Sequence, residues 1–125
     1  MSSPTDPTIE LFMVEVRVAD WTASARWYVD VLGLRPILED LDRLFLLLEA
    51  GSGKVALKEG PSLVDRGAVR LVFRVGDVDA ARDRLIGLGI DVGLVTESAE
   101  GYREIRLADP DSTPIHLFAR ADRGP

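Results

Sequence analysis

Two stretches of the chain alternate apolar side chains with other residues. In the first stretch, every second residue is apolar: Phe12, Val14, Val16 and Val18. In the second stretch, the same pattern recurs: Val69, Leu71, Phe73 and Val75. A period of two is typical of a strand with one buried face. The pattern therefore predicts two strands, each with its helix-facing side apolar and its other side open to polar residues.

A helix is predicted after each of these strands. Asp20 and Asp77 follow the strands and can accept hydrogen bonds from free helix amides, so both are expected to be N-caps. Apolar residues then recur at helical spacing, and we expect Trp27 and Tyr28 in the core and Trp21 at the rim of a cleft or at a subunit contact. The helices are expected to end near the residues that favour a left-handed backbone: Gly33 and Gly89.

Each half of the chain continues with three short strand-like runs. They span 36–39, 43–50 and 54–59 in the first half, and 91–96, 102–108 and 113–119 in the second. The two capping aspartates are 57 residues apart and the two glycines 56, so the chain contains an internal repeat. The sequence predicts an α+β fold of two βαβββ modules in tandem, each a four-stranded mixed sheet with a helix on one face. Together the sheets should form a concave cleft.

The boundaries of this organisation follow from composition. We expect a flexible N-terminus (1–8), a first module (9–60), a linker (61–66), a second module (67–120) and a polar tail (121–125), within one structural domain. The net charge of −6 disfavours a nucleic-acid partner. No apolar run is long enough to span a membrane, and no signal peptide is recognised. The absence of cysteine is compatible with a reducing compartment, and we expect a cytoplasmic protein.

Two motifs resemble those of a known superfamily. The first half carries an aromatic pair followed by Leu32-Gly33-Leu34, and the second half closes with Asp109-Pro110-Asp111, with Ser112 where a glycine is usual. Together they resemble the vicinal oxygen chelate superfamily, which includes glyoxalase I, extradiol dioxygenases, fosfomycin-resistance thiol transferases and bleomycin-binding proteins. The resemblance covers about residues 10–119 and implies the tandem βαβββ fold.

The resemblance also implies four positions for metal ligands, which are His, Glu or Gln in metal-using members. In this chain they fall on Met13, Ala56, Arg70 and His116. A thioether is a weak ligand for hard divalent ions, alanine has no donor, and guanidinium is a permanent cation. One imidazole cannot hold a catalytic metal, which normally needs three protein ligands. We therefore expect no metal and no cofactor.

A ligand-binding face is expected on the concave side of the sheets. The candidate residues are Met13, Glu15, Arg17, Arg70, Arg74, Glu104, Arg106, His116 and Phe118. Arg70 beside His116 suits an anionic or carbonyl-bearing ligand, because a guanidinium matches carboxylate and phosphate geometry. The alternative is that these charged groups pair with one another, with Glu15 or Glu104 on Arg70, and leave nothing for a ligand.

The function we expect is metal-independent binding of a small molecule, with drug or metabolite sequestration as in the bleomycin-resistance branch that the chain resembles. The alternative is an enzyme of the same superfamily: a lyase, isomerase or dioxygenase-like member with a displaced metal site, or one using metal-free acid–base chemistry at Glu15 and His116. A regulatory or interaction subunit is a third interpretation. Exposed sheet edges and the resemblance both predict a homodimer.

Overall fold

The computed structural model describes residues 10–61 and 69–120. The expected flexible N-terminus (1–8), the polar tail (121–125) and all but the first residue of the expected linker lie outside these ranges. The described residues form two modules of the same construction, and the fold is α+β, as the sequence predicts. None of the helices in the described ranges is both long and apolar enough to cross a membrane.

The first module contains one helix and four strands. Its elements are β1 (Val14–Val18), α1 (Trp21–Asp30), β2 (Arg35–Asp40), β3 (Phe45–Ala50) and β4 (Gly53–Glu59). The strand order across the sheet is β1-β4-β3-β2, with β1 parallel to β4 and the other pairs antiparallel. The β3–β4 connection is a two-residue hairpin turn, Gly51-Ser52.

The second module repeats this plan. Its elements are β5 (Leu71–Arg74), α2 (Val78–Gly87), β6 (Thr96–Glu97), β7 (Tyr102–Ala108) and β8 (Pro114–Arg120). The order is β5-β8-β7-β6, again with the first and last strands parallel. The internal repeat in the sequence is therefore a repeat of the fold.

Both predicted helix caps are confirmed. Asp20 accepts a 3.1 Å hydrogen bond from the Ala23 amide, and Asp77 accepts one of the same length from the Ala80 amide. Gly33 (φ 75°) and Gly89 (φ 80°) have the left-handed backbone expected just after a helix. Ser112 also has a positive φ, of 69°, in the turn where the superfamily usually has glycine.

One face of each sheet packs against its helix to form the core. On the first sheet this face includes Val16, Val18, Leu48 and Leu57, and on the second Ile105, Ile115 and Leu117. The opposite face of each sheet carries the alternate residues, and we call it the open face. Side chains on successive strand residues point to opposite faces, so the alternation in the sequence predicts this division.

Two expectations from the sequence are wrong. The run 91–96 forms a strand only at Thr96–Glu97. Before it, the Gly93 amide donates to the Arg106 carbonyl of β7 at 3.0 Å, while the Gly93 carbonyl accepts from the Arg82 guanidinium at 2.9 Å. Trp21 lies neither on a rim nor at a surface contact. It is 4% exposed, and its indole N–H donates to the Leu57 carbonyl at 3.2 Å.

In the described ranges, hydrogen bonds join the modules at α1 and at the residues just before and after it. The Tyr28 hydroxyl donates to Asp109 Oδ2 at 2.7 Å, and the Ala19 amide donates to Asp111 Oδ2 at 3.0 Å. Arg84, on α2, donates to the Val31 carbonyl at 2.7 Å and so caps the C-terminal end of α1. The modules are thus held together on the helix side, while the open faces remain uncovered.

Candidate functional site

The second sheet brings six of the nine candidate residues together on its open face. Cross-strand pairing places Arg106 beside His116, and His116 beside Val72 of β5. The next row along the strands consists of Glu104, Phe118 and Arg74. Arg70 immediately precedes β5 and follows the same alternation. These six candidates form what we call the basic face: Arg70, Arg74, Glu104, Arg106, His116 and Phe118.

His116 is the buried centre of the basic face. The residue is only 8% exposed, and its Nδ1 lies 3.5 Å from Glu104 Oε1, at the long end of a hydrogen bond. Burial lowers the pKa of His116 below its ordinary value, the positive charges of Arg106 and Arg70 lower it further, and Glu104 opposes them. The lowered pKa favours the neutral imidazole at pH 7, in which Nδ1 faces the Glu104 carboxylate as the donor and Nε2 is left as an acceptor.

The basic face has more positive than negative charge. Within the described part of the chain, the side chains of Arg70, Arg74 and Arg106 make no ion pair and no hydrogen bond with protein groups. Glu104 is the single carboxylate among the six residues. Neither expected partner of Arg70 pairs with it, because Glu15 binds Arg17 at 2.8 Å and Glu104 lies against His116. The alternative of mutual pairing thus applies to Glu15 with Arg17 and to Glu104 with His116, and in the described ranges it does not extend to Arg70.

An aromatic pair borders the basic face. Phe118 packs edge-on against Tyr102, with ring centroids 5.4 Å apart, and the Arg120 guanidinium lies 5.9 Å from the Tyr102 ring centroid. Tyr102 was not among the residues expected from the sequence. Its place at the start of β7, on the same face as Glu104, follows from the period of two. A ligand on this face would meet charge at one end and an aromatic edge at the other.

The three remaining candidates lie on the first sheet. Met13 precedes β1, and Glu15 and Arg17 lie on the open face of β1, where Glu15 is the cross-strand neighbour of Ala56. Within this trio, the Arg17 guanidinium donates to the Glu15 carboxylate at 2.8 Å. The chain therefore divides the predicted nine-residue site into two parts, one on each sheet.

The four positions that correspond to metal ligands do not suit a metal ion. Ala56 is fully buried without a donor atom, and Arg70 adds a positive charge beside His116. In the described ranges, no group of three or more His, Cys, Asp or Glu side chains is placed to hold an ion. The donor set thus lacks the three protein ligands of a catalytic site.

A groove of about 840 Å³ runs between the two modules. Its first wall is the end of α1 and the β3–β4 turn, and its second wall is β5 with α2. The groove reaches the basic face at β5, because Arg74 belongs to both and Val72, the cross-strand neighbour of His116, lines the groove. Sequence reasoning missed it, since a space between modules depends on how they pack and has no local pattern.

The fold resembles solved structures over nearly its whole length. The crystal structure of SMU.1112c superposes with a TM-score of 0.80 and 27% identity, covering 90% of this chain and 100% of that one. The fosfomycin resistance protein FosX from Listeria monocytogenes gives 0.77 and 19%, covering 90% and 94%. Lactoylglutathione lyase from Agrobacterium tumefaciens gives 0.71 and 20%, covering 90% and 95%. A comparison with functionally curated proteins finds no significant match.

A match to a family model shows the protein family to which the chain belongs. The model described as a glyoxalase-like domain matches residues 13–118, which include both modules and the basic face. This agrees with the repeated βαβββ architecture and with the paired motifs in the sequence. The chain belongs to the glyoxalase-like domain family, within the vicinal oxygen chelate superfamily.

Proposed function

We propose that the chain binds a small organic anion on the basic face, without a metal ion. The observation that supports this most directly is the excess of three guanidinium groups, none with a partner among residues 10–61 and 69–120, over one carboxylate around a nearly buried imidazole. Guanidinium groups without protein partners favour an acceptor from outside, and Arg binds carboxylate or phosphate oxygens through two parallel N–H groups.

The chemistry of the basic face limits the class of ligand that it can bind. Arg70 and Arg106 offer donors to a carbonyl or carboxylate oxygen, and Phe118 with Tyr102 offers an apolar edge for the body of the ligand. A cationic drug of the bleomycin type does not match this charge. An anionic or carbonyl-bearing metabolite or drug matches the charge of the basic face. Sequestration of such a molecule requires reversible binding and no reaction.

The test is a thermal-shift screen of small carboxylates, each paired with its neutral amide. A ligand that binds only the folded state raises the apparent melting temperature. We expect carboxylates to raise it and their amides not to. Arg70→Gln and Arg106→Gln should each weaken the best carboxylate about tenfold, because each loses a charge-assisted hydrogen bond. Arg26→Gln, on the exposed surface of α1, is the matched control and should bind like the wild type. An equal loss of affinity for the carboxylate in Arg70→Gln, Arg106→Gln and Arg26→Gln would reject the proposal.

A second candidate function is metal-free acid–base catalysis. It is favoured by the neutral His116 with a carboxylate 3.5 Å away, since such an imidazole can accept a proton. The partner is Glu104, whereas the sequence suggested Glu15, which lies on the other sheet. Catalysis is tested by NMR, as the exchange with D₂O of the protons on the carbon next to the keto group of 2-keto acids. Exchange that His116→Gln abolishes supports catalysis, and exchange no faster than in buffer rejects it.

We also propose that the protein is a homodimer. Apolar side chains along the sheet edges and open faces are exposed, among them Phe12 at 61%, Leu38 at 56% and Val72 at 55%. Surfaces of this kind usually mark contacts between proteins. Pairing of two copies would cover these side chains and deepen the shallow basic face.

A further inference from the structure

The groove between the modules combines apolar walls with uncompensated positive charge. Apolar side chains line both walls: the buried Leu34 and the partly buried Leu32 on one side, and the partly buried Phe73 and Val75 on the other. Leu117 contributes from the core side of β8. These side chains are accessible to the groove although they belong to or border the core, so an apolar group placed there would leave water.

Three arginines and one glutamate line the same groove. Arg35 is neutralised by its ion pair with Glu49, across β2 and β3. Arg84 donates to the Val31 and Asp30 carbonyls and has no carboxylate within ion-pair distance among the described residues. Arg74 has no side-chain partner in the described ranges. The groove therefore keeps positive charge at two points, one at each end of the second wall.

The position of the groove distinguishes it from the basic face. It extends over the edge of β5 towards α2 and includes residues from the helix-facing side of the sheet, Phe73 and Leu117. Arg70, Arg106 and His116 do not line it. A ligand could therefore occupy the groove while these three residues remain free to bind another molecule.

We propose that this groove is a second binding site, for an amphipathic carboxylate with an unbranched or otherwise slender apolar body. The carboxylate binds the Arg74 guanidinium, and the apolar body lies between Leu34 on the first module and Phe73 on the second. Both modules contact the ligand, so its binding couples their relative positions. This occupant matches the charge and the apolar walls together, which neither an inorganic anion nor a neutral lipid does.

The probe is decanoate below its micellar concentration, with decanol and acetate as comparison ligands, measured by titration calorimetry on the full chain. We expect decanoate to bind at least about tenfold more tightly than either comparison ligand, because each lacks one of the two required groups. Ser52→Glu places a negative charge at the exposed turn beside the groove and should weaken decanoate about threefold or more. Ser52→Gln is its neutral control and should bind like the wild type.

A second pair of variants tests the volume of the groove. Ala81→Phe fills it from α2, whereas Ala80→Phe adds the same side chain one residue away, on an exposed position that does not line it. We expect Ala81→Phe to lose its affinity for decanoate and Ala80→Phe to keep it. Equal affinities in the two members of each pair would overturn the proposal. So would a changed sedimentation mass in Ser52→Glu, since the groove would then be an interface between copies.

One further variant separates this site from the proposed function. Arg70→Gln, which should weaken ligands of the basic face, should leave decanoate binding unchanged. If decanoate binding is lost in Arg70→Gln and retained in Ser52→Glu, the carboxylate binds the basic face, the proposed function stands and the second site is rejected. If Arg70→Gln binds every carboxylate normally and Ser52→Glu loses decanoate, the groove stands and the proposed function falls.

Discussion

The Tyr28 hydroxyl donates a 2.7 Å hydrogen bond to Asp109, and this contact joins α1 of the first module to the β7–β8 turn of the second. Both residues are buried, with Tyr28 fully inaccessible and Asp109 5% exposed. Asp109 also accepts the Asp111 and Thr113 amides through its other oxygen, each at 2.8 Å. One carboxylate thus organises the turn and binds the neighbouring module.

Tyr28→Phe should lower the free energy of unfolding by about 1.5–3 kcal/mol, the usual value of a hydrogen bond to a charged group. The change leaves the buried Asp109 oxygen without its donor. Urea denaturation of wild type and variant measures the difference. Tyr102→Phe is the matched control, since its hydroxyl has no hydrogen-bond partner in the described ranges. Equal stabilities of the two variants would contradict the role of the contact between modules.

Ser112→Gly should stabilise the protein by about 0.5–1 kcal/mol. Ser112 has a φ of 69°, where a residue with a Cβ is strained by about 1–2 kcal/mol, and the greater freedom of glycine in the unfolded chain offsets part of the gain. The melting temperature and urea midpoint should both rise. Ser52→Gly, in a turn where serine has no positive φ, should not stabilise. If Ser112→Gly is less stable than the wild type, the serine side chain makes a contact whose stabilisation exceeds the backbone strain.

His116 should make stability decrease as the pH falls below about 6.5. Its folded pKa is lowered by burial and by Arg106 and Arg70, with Glu104 opposing, so the unfolded chain takes up a proton first. The loss begins near the ordinary pKa of 6.5 and is complete once the pH is below the folded pKa. His116→Gln should flatten the pH profile of the urea midpoint between about pH 7 and pH 5. Parallel profiles for variant and wild type would contradict this.

The protein purified without a histidine tag should contain far less than one zinc, iron, nickel or manganese ion per chain. Met13, Ala56 and Arg70 occupy three of the four ligand positions and give no site with three suitable donors. Elemental analysis after dialysis is the measurement. About one ion per chain, lost in His116→Ala, would contradict this prediction and show that His116 binds a metal together with ligands outside the other three positions.

Sedimentation at micromolar concentrations should give about twice the chain mass of 13.7 kDa. The exposed apolar side chains at Phe12, Leu38 and Val72 are the reason for this expectation. Leu38→Glu should weaken the association if the open face of the first sheet takes part, and Ile86→Glu on α2 provides a comparison at another exposed apolar site. A mass near that of one chain throughout the range would be the opposite result.

Sequence patterns predicted the features that depend on neighbouring residues. The caps Asp20 and Asp77, the left-handed Gly33 and Gly89, and the alternation that puts Arg70 and His116 on one face all follow from local spacing. Features that depend on packing between modules escaped prediction. The Tyr28–Asp109 hydrogen bond spans 81 residues along the chain, and the groove exists only where two walls from different modules meet.

The short strand β6 shows a second limit of predicting structure from the sequence. The run 91–96 has strand-like composition, yet a regular ladder with β7 forms only at Thr96–Glu97, with one further hydrogen bond from the Gly93 amide to the Arg106 carbonyl. Composition alone therefore overestimates the length of this strand, because β propensity depends strongly on what lies beside the strand.

The strand order has a consequence for synthesis on the ribosome. In each module the last strand lies between the first strand and the third, as in β1-β4-β3-β2. The first strand therefore has no partner in its sheet until the fourth has emerged, although α1 and the β2–β3 pair form from nearer residues. Contacts between distant residues form late because the intervening loop must close first. A nascent chain that stops before Glu59 exposes an unpaired β1, and chaperones that bind extended apolar segments would meet it at this stage.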